Sequence, residues 1–356
     1  MKQRGEALRE IISQVRNGTY DYQSRECANT DWTKYDEAPI HEMADYLNNV
    51  RDIVDEANRR ISERMPIQKP RAGRPCINAA DIAKVLLVQE YTNSPNRVAE
   101  GLLLLFREKL GISKHFSYKT IERGYDRKSV NAILTEVEII TNEMVKGKEK
   151  DFSFDGTGCS SSNKDNYASI RQQQNKANST NKTGDPDDTF PSPKINHDEF
   201  TYSVMGIGVN YKLISGMKVN VGNSIGETSM FPDTFAQTIS MHPDMENVLG
   251  DGIYGALVQG LGAKEIRFLS NQVVWYWHRY AQKNTEIWLQ MYHKRSISET
   301  VNSMIECRFG KRVMKKLKAR KKTETYLKGV AHNIRRVGYL EIIDGLPPVW
   351  PKGRSR

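Results

Sequence analysis

Apolar residues in the first 148 positions recur every three to four residues, a spacing that places them on one helix face and predicts a helical region. Asn78 is a good N-cap for one of these helices, which the turn before Pro95 ends. A further helix is expected between Pro95 and Gly111, and a short polar one over residues 118–124.

The short helix is basic, with Lys119 and Arg123 four positions apart and therefore on one face. Two helices, a glycine-containing turn and a basic third helix match the helix-turn-helix that contacts DNA. The same pattern fits a helical bundle used for packing or dimerisation. Both interpretations stay open at this point, and they differ in whether Lys119 and Arg123 face DNA.

After residue 148 the pattern changes to the alternation of apolar and polar residues that is typical of strands. The predicted strands are residues 151–157, 201–209, 214–221, 247–251 and 264–269. The predicted helices are residues 232–239, 286–317 and 326–337. A hairpin at the start, followed by alternating strands and helices, predicts an α/β fold: a mixed sheet with helices on both faces, which fits an RNase H-like domain.

These patterns divide the chain into a helical region at residues 1–148, an α/β domain at residues 149–343 and a tail at residues 344–356. Residues 160–198 are a polar tract with almost no aliphatic side chains. Such a tract buries little apolar surface, so we expect a mobile loop within the α/β domain.

Composition narrows the class of protein. Lys and Arg number 53 against 43 Asp and Glu, a net charge of +10 that favours a polyanionic partner such as DNA. The longest apolar runs are far shorter than a membrane span, and no secretory signal opens the sequence, so an intracellular protein is expected. The four cysteines are too far apart for a paired zinc motif or a disulfide framework.

Basic residues concentrate near the end of the chain. Between residues 308 and 336 there are twelve Lys and Arg and one acidic residue. Lysines that recur every three or four positions predict one cationic helical face, which suits a DNA backbone. These lysines are Lys311, Lys315, Lys318 and Lys322.

Three acidic residues are candidates for a metal site. Asp155 and Asp251 each precede a glycine at the predicted end of a strand. Glu299 shares the polar side of a predicted helix with Tyr292 and Arg295. Grouped carboxylates suit Mg²⁺, and two such ions about 4 Å apart promote displacement at phosphorus. The spacing alone does not distinguish a metal site from three acidic residues that are simply exposed to solvent.

The motifs Phe-Ser-Phe-Asp155-Gly-Thr, Val-Leu-Gly-Asp251-Gly-Ile-Tyr and Tyr292-x-x-Arg295-x-x-x-Glu299 resemble those of the DDE transposases of prokaryotic insertion sequences. The group in question carries a Tyr-x-x-Arg-x-x-x-Glu signature. Residues 329–336 resemble the His-Asn-containing helix that closes such domains, and the resemblance extends from about residue 71 to residue 343.

The resemblance implies an RNase H-like catalytic domain that cleaves and transfers strands at insertion-sequence ends. It implies that Asp155, Asp251 and Glu299 bind two Mg²⁺ or Mn²⁺ ions. The implied partners are the terminal inverted repeats and target DNA. The protein is expected to bind them as a homodimer and to be cytoplasmic and associated with the nucleoid. The candidate DNA contacts are Tyr292, Arg295, Lys311, Arg312, Lys315, Lys318, Lys322, Asn333, Arg335, Lys119 and Arg123.

The sequence departs from the family signature at one position. The family has a lysine seven residues after the glutamate, where this chain has Glu306, which is expected either to assist or to perturb metal binding. Two alternatives stay open: an RNase H-like nuclease that never joins strands, and a non-catalytic DNA-binding protein derived from a transposase.

Overall fold

A computed structural model describes much of the chain. The described residues are 9–10, 13–14, 16–19, 31–64, 76–161, 200–222, 226–254, 257–258, 266–269, 290 and 293–353. The α-helices with described bounds are α1 (Trp32–Arg64), α2 (Ala79–Tyr91), α3 (Asn96–Phe106), α4 (Tyr118–Gly124), α5 (Lys128–Glu143), α6 (Glu227–Met241), α7 (Ile297–Phe309) and α8 (Lys318–Ile343). The strands are β1 (Asp151–Ser160), β2 (Phe200–Gly208), β3 (Ile214–Val221), β4 (Asn247–Leu249) and β5 (Arg267–Leu269).

The five strands form one sheet in the order β3-β2-β1-β4-β5. β1, β2 and β3 pair antiparallel, whereas β4 runs parallel to β1 and β5 runs parallel to β4. The predicted hairpin is present as β2 and β3. The mixed α/β sheet expected from the sequence is therefore confirmed.

β1 is longer than its alternating sequence predicts. It continues to Ser160, which pairs with Phe200 at the start of β2, because β2 supplies partners along the whole strand. The prediction that Asp155 ends a strand is therefore wrong. Asp155 lies in the middle of β1, opposite Met205.

Helices cover both faces of the sheet, as predicted. On one face Phe154 contacts Phe231 and Phe235 of α6, with ring centroids 5.2 and 5.8 Å apart. Because side chains alternate along a strand, Ser153 and Asp155 lie on the opposite face, against which α7 and α8 pack.

The helical region and the sheet share one apolar core. A single cluster of buried side chains includes Val50 of α1, Leu86 of α2, Leu134 of α5, Ile214 of β3 and Ile334 of α8. α8 contacts both α1 and β3 and so joins the two parts. The predicted boundary after residue 148 marks a change from helices to strands, while the packing continues across it.

The predicted helix over residues 286–317 is wrong at its end. α7 stops at Phe309 because Gly310 has φ +80° and ψ +150°, a conformation that essentially only glycine adopts. An irregular segment follows until α8 begins. Lys311 and Lys315 therefore lie outside the helices, and the four lysines do not form the single cationic helical face that their spacing predicts.

Two predictions lie outside the described residues. Only residues 160–161 of the polar tract at 160–198 are described, and Tyr292 is not described. Among the helices of the described residues, none combines the length and the apolar composition needed to cross a membrane.

Candidate catalytic site and DNA-binding surface

The register of two parallel strands brings Asp155 and Asp251 together. The last residues paired between β1 and β4 are Ser153 and Leu249. Asp155 and Asp251 each come two positions later, and neighbouring strands lie about 4.8 Å apart. Asp155 is still within β1, whereas Asp251 lies in the turn that follows β4, so both residues are found near the carboxyl end of β4.

Glu299 reaches this place from the first turn of α7. The start of this helix is attached to β1, because the Ser153 hydroxyl donates a hydrogen bond to the Arg295 carbonyl oxygen at 3.1 Å. The Arg295 guanidinium contacts the Asp251 carboxylate, and its Nη2 lies 3.6 Å from Oε1 of Glu299. One cation thus bridges two of the three predicted acidic residues.

Asp155 is the most deeply buried of the three. Burial raises the pKa of Asp155 to about 6, and the negative charge of Glu227 adds to the rise. The Gly156 N–H, which donates to Oδ1 of Asp155 at 3.0 Å, acts in the opposite direction. Arg295 also lowers this pKa and Glu299 raises it, so Asp155 and Glu299 belong to one electrostatic environment.

The residues fit a divalent cation by their chemistry. Three carboxylates supply the oxygen ligands that Mg²⁺ prefers, and the guanidinium between Asp251 and Glu299 already places positive charge there. Within the described part of the chain, however, no group of three or more His, Cys, Asp or Glu side chains is close enough together to hold a metal ion. A cation would therefore have to draw the carboxylates together and displace Arg295.

The structure adds a carboxylate that the sequence analysis did not identify. Glu227 begins α6, and a Cβ atom at Gly156 would lie 2.7 Å from its carboxyl carbon. The Tyr254 hydroxyl donates a hydrogen bond to the same carboxylate. No sequence motif identifies Glu227. The only signal in the sequence is Gly156, since a glycine is needed where another side chain packs this close to the strand.

Glu306, which stands where the DDE signature has a lysine, forms an ion pair away from the three predicted acidic residues. Its Oε2 lies 2.9 Å from Nζ of Lys311. Seven residues correspond to about 10 Å along a helix, so Glu306 is two turns away from Glu299. Its charge is compensated locally by Lys311.

Several predicted DNA contacts are exposed. Lys119 and Arg123 lie on the outer side of α4, whose Ile121 is buried against the other helices. Residues 107–117 join α3 to α4, a longer connection than the tight turn of a helix-turn-helix, and α4 has only seven residues. Among the described residues from the end of α7 to the first half of α8, the exposed basic side chains are Lys311, Arg312, Lys316, Lys318 and Lys322.

Other predicted DNA contacts are internal. Nζ of Lys315 lies 2.9 Å from Oε2 of Glu122, and the Lys315 side chain is 8% exposed. The Asn333 amide accepts a hydrogen bond from the backbone of β3 and donates one to it. Nη2 of Arg335 lies 2.6 Å from Oε2 of Glu42. These three side chains hold helices and sheet together and are not presented to a DNA backbone.

Comparison with known proteins gives one informative similarity. The chain matches no protein-family model and no solved structure. It is 26% identical over 311 residues to a protein of Archaeoglobus fulgidus described as a probable transposase for the insertion sequence element ISA1214. The match covers 80% of this chain and 85% of that protein, and it supports a transposase function. Over most of its length, the chain is similar to this probable insertion-sequence transposase.

Proposed function

We propose that this protein is a DDE transposase that cleaves and joins the DNA ends of an insertion sequence, with Asp155, Asp251 and Glu299 as its catalytic residues. The observation that carries the proposal is the register of β1 and β4. Asp155 and Asp251 each come two positions after the last residues paired between these strands, and Arg295 links Asp251 to Glu299.

The sheet supports an RNase H-like domain. Three antiparallel strands are followed by two parallel ones in the order β3-β2-β1-β4-β5, with helices on both faces. In such a domain the first and fourth strands are neighbours. A carboxylate on β1 and a carboxylate just after β4 therefore start from neighbouring strands, without a long loop to carry either one.

The chemistry we propose is phosphoryl transfer on DNA. Two Mg²⁺ or Mn²⁺ ions held by the three carboxylates would activate the attacking oxygen and neutralise the leaving one. Asp155 is fixed by its place within β1, while Asp251 and Glu299 are more exposed and can adjust. Arg295, once released from the two acidic residues, is placed to bind the DNA backbone beside the scissile phosphate.

DNA would approach over the exposed basic residues of α4 and of the chain after α7. The guanidinium and ammonium groups there bind phosphates without reading sequence. Because two DNA ends must be paired, we propose that two copies of the chain act together on DNA, in the cytoplasm with the nucleoid. The proposed surface consists of Lys119, Arg123, Lys311, Arg312, Lys316, Lys318 and Lys322.

The test uses the purified chain, the DNA that flanks its coding sequence and Mg²⁺. We expect strand-joined product from the wild type and none from Asp155→Ala, Asp251→Ala or Glu299→Ala. Asp233→Ala removes an exposed acid that pairs with Lys218 of β3, and it should leave the product unchanged. Cut ends without joining would indicate the nuclease, and binding without cleavage would indicate the non-catalytic DNA-binding protein.

A further inference from the structure

Glu227 is packed directly against the strand that carries Asp155. A Cβ atom at Gly156 would lie 2.7 Å from both Cδ and Oε1 of Glu227. Only a glycine leaves room for a carboxylate at this distance. The first residue of α6 is thereby seated on the backbone of β1, one position beyond Asp155.

Tyr254 holds the other side of this carboxylate. Its side chain is fully buried, and its hydroxyl donates a hydrogen bond to Oε1 of Glu227. Its ring stacks on Phe231 of α6, with the centroids 4.6 Å apart. It also covers Gly250, where a Cβ atom would lie 2.8 Å from the ring. Tyr254 therefore has one place, set by three neighbours.

The same tyrosine is joined to Asp251 through the backbone. The Tyr254 N–H donates to the Asp251 carbonyl oxygen at 3.0 Å and closes the turn that follows β4. Asp251 needs such a support because the pairing of β4 with β1 stops at Leu249. Beyond that point the sheet no longer fixes its distance from Asp155.

We propose that Glu227 and Tyr254 form a positioning pair, which sets the separation of Asp155 from Asp251 and so prepares these two carboxylates to share a divalent cation. The inference rests on the proposed function and deepens it. Glu227 acts here as the acceptor of the Tyr254 hydrogen bond, and neither residue is assigned a bond to the cation.

Mn²⁺ binding, measured by electron paramagnetic resonance of the free ion, tests the pair without relying on activity. Tyr254→Phe keeps the stacked ring and removes the hydrogen bond, and Glu227→Ala removes the acceptor. We expect each to weaken Mn²⁺ binding about tenfold, the usual cost of losing a residue that orients a ligand. The double variant should cost no more than either single one, because both remove the same bond.

Glu227→Gln is the decisive variant, since its amide oxygen still accepts the Tyr254 hydrogen bond. It should bind Mn²⁺ nearly as well as the wild type. Tyr339→Phe is the matched control: it removes a tyrosine–glutamate hydrogen bond to Glu42 in the contact between α8 and α1 and should leave Mn²⁺ binding unchanged. Thermal unfolding of every variant shows that it is folded.

Two results would overturn the role of the Glu227–Tyr254 pair and leave the proposed function standing. One is Mn²⁺ binding that Tyr254→Phe leaves unchanged although Asp155→Asn abolishes it. The other is a Glu227→Gln variant as weak as Glu227→Ala, which would mean that the charge of Glu227 acts directly. A wild-type protein that binds no Mn²⁺ and cuts no DNA would instead contradict the proposed function itself.

Discussion

Arg295 occupies the space between Asp251 and Glu299, where the proposed cation would act. The two contacts are partly exposed, with 53% and 68% of the two acidic side chains accessible, so they are easily given up. Exposed ion pairs contribute about 0.2–1 kcal/mol each. Under the proposed function, a divalent cation would therefore displace the guanidinium at small cost, and the released arginine would be free to bind DNA.

Arg295→Ala should consequently change two affinities in opposite directions. We expect Mn²⁺ to bind about twofold to fivefold more tightly, because the competing cation is gone. DNA should bind more weakly because one phosphate contact is lost. The slope of log K against log salt should then become smaller by about one. Titrations of Mn²⁺ and of labelled DNA measure the two effects.

Arg59→Ala is the matched control, since Arg59 also bridges two acidic residues, Glu56 and Glu63, on α1. It should change neither affinity. If Arg295→Ala weakened Mn²⁺ binding, Arg295 would support the carboxylates rather than compete for them, and the exchange would be refuted.

For single residues, the sequence identifies those that belong to a recognisable motif. It does not identify those whose role depends on packing against a distant part of the chain. Asp155, Asp251 and Glu299 could be chosen because each stands in a recognisable local pattern. Glu227 has no such pattern, and its role depends on an approach to Gly156 across 71 positions of the chain. Lys315 illustrates the converse: its spacing suits a basic surface, while its partner Glu122 comes from a distant helix.

The basic segment after α7 departs from the helix that its spacing predicts. Its lysines have helical spacing, yet α7 ends at Gly310 and the chain crosses to Ser160 of β1 before α8 begins. The Glu324 carboxylate of α8 accepts hydrogen bonds from the backbone N–H groups of Met314 and Lys315. These bonds hold the irregular segment in place. Glycine was the available signal for the break, because it is common just beyond helix ends.

Replacement of that glycine should be costly. In Gly310→Ala the new side chain must adopt φ +80° and ψ +150°, and its Cβ atom would lie 3.2 Å from Asn93. We expect a loss of about 1–3 kcal/mol in the free energy of unfolding, measured with urea.

Gly101→Ala provides the comparison, because Gly101 lies inside α3 with open space around it. Alanine favours a helix over glycine, so this variant should gain about 0.5–1 kcal/mol. Equal effects of the two replacements would show that Gly310 does not determine the end of α7.

A second junction between elements depends on Glu42 of α1. Its carboxylate accepts hydrogen bonds from Arg335 and Tyr339 of α8 and from Tyr91 of α2, and Arg308 of α7 lies 3.3 Å away. Burial alone would raise the pKa of Glu42, but these partners outweigh it and lower the pKa to about 2.

The junction should make stability dependent on pH in the acid range. A lowered carboxyl pKa stabilises the fold above the ordinary value of 4.5, and this contribution disappears as the pH falls towards 2. Glu42→Gln should therefore lower the free energy of unfolding at neutral pH by about 1–3 kcal/mol, since solvent screens part of the interaction, and flatten its decline in acid.

Denaturant titrations across this pH range measure both effects of Glu42→Gln. Glu63→Gln, which affects an exposed ion pair, should change the stability by no more than about 1 kcal/mol. A wild-type protein whose stability is flat between neutral pH and pH 2 would contradict the role of Glu42.

The whole molecule combines a shared core with a surplus of positive charge. The order of helices and strands could be predicted, because periodicity is a local property of the sequence. The single core that runs from α1 to β3 could not, because it depends on where α8 packs. The same packing takes Arg335 and Asn333 out of the basic surface, and the exposed lysines are the ones we propose to bind DNA.

The exposed lysines of α8 should govern the salt dependence of DNA binding. Lys318→Ala combined with Lys322→Ala should weaken binding to all DNA sequences alike and reduce the salt slope by about two. Lys34→Ala, an exposed lysine of α1 paired with Asp31, is the control and should leave the slope unchanged. A double variant with the slope of the wild type would place the DNA on another surface.

The central claim is that Asp155, Asp251 and Glu299 bind divalent cations together. Anomalous diffraction from crystals soaked in Mn²⁺ tests it most directly, because the ion identifies itself. We expect Mn²⁺ density in contact with all three carboxylates and Arg295 displaced from Asp251. Arg295 still bridging Asp251 and Glu299, with no Mn²⁺ between the three acidic residues, would contradict it.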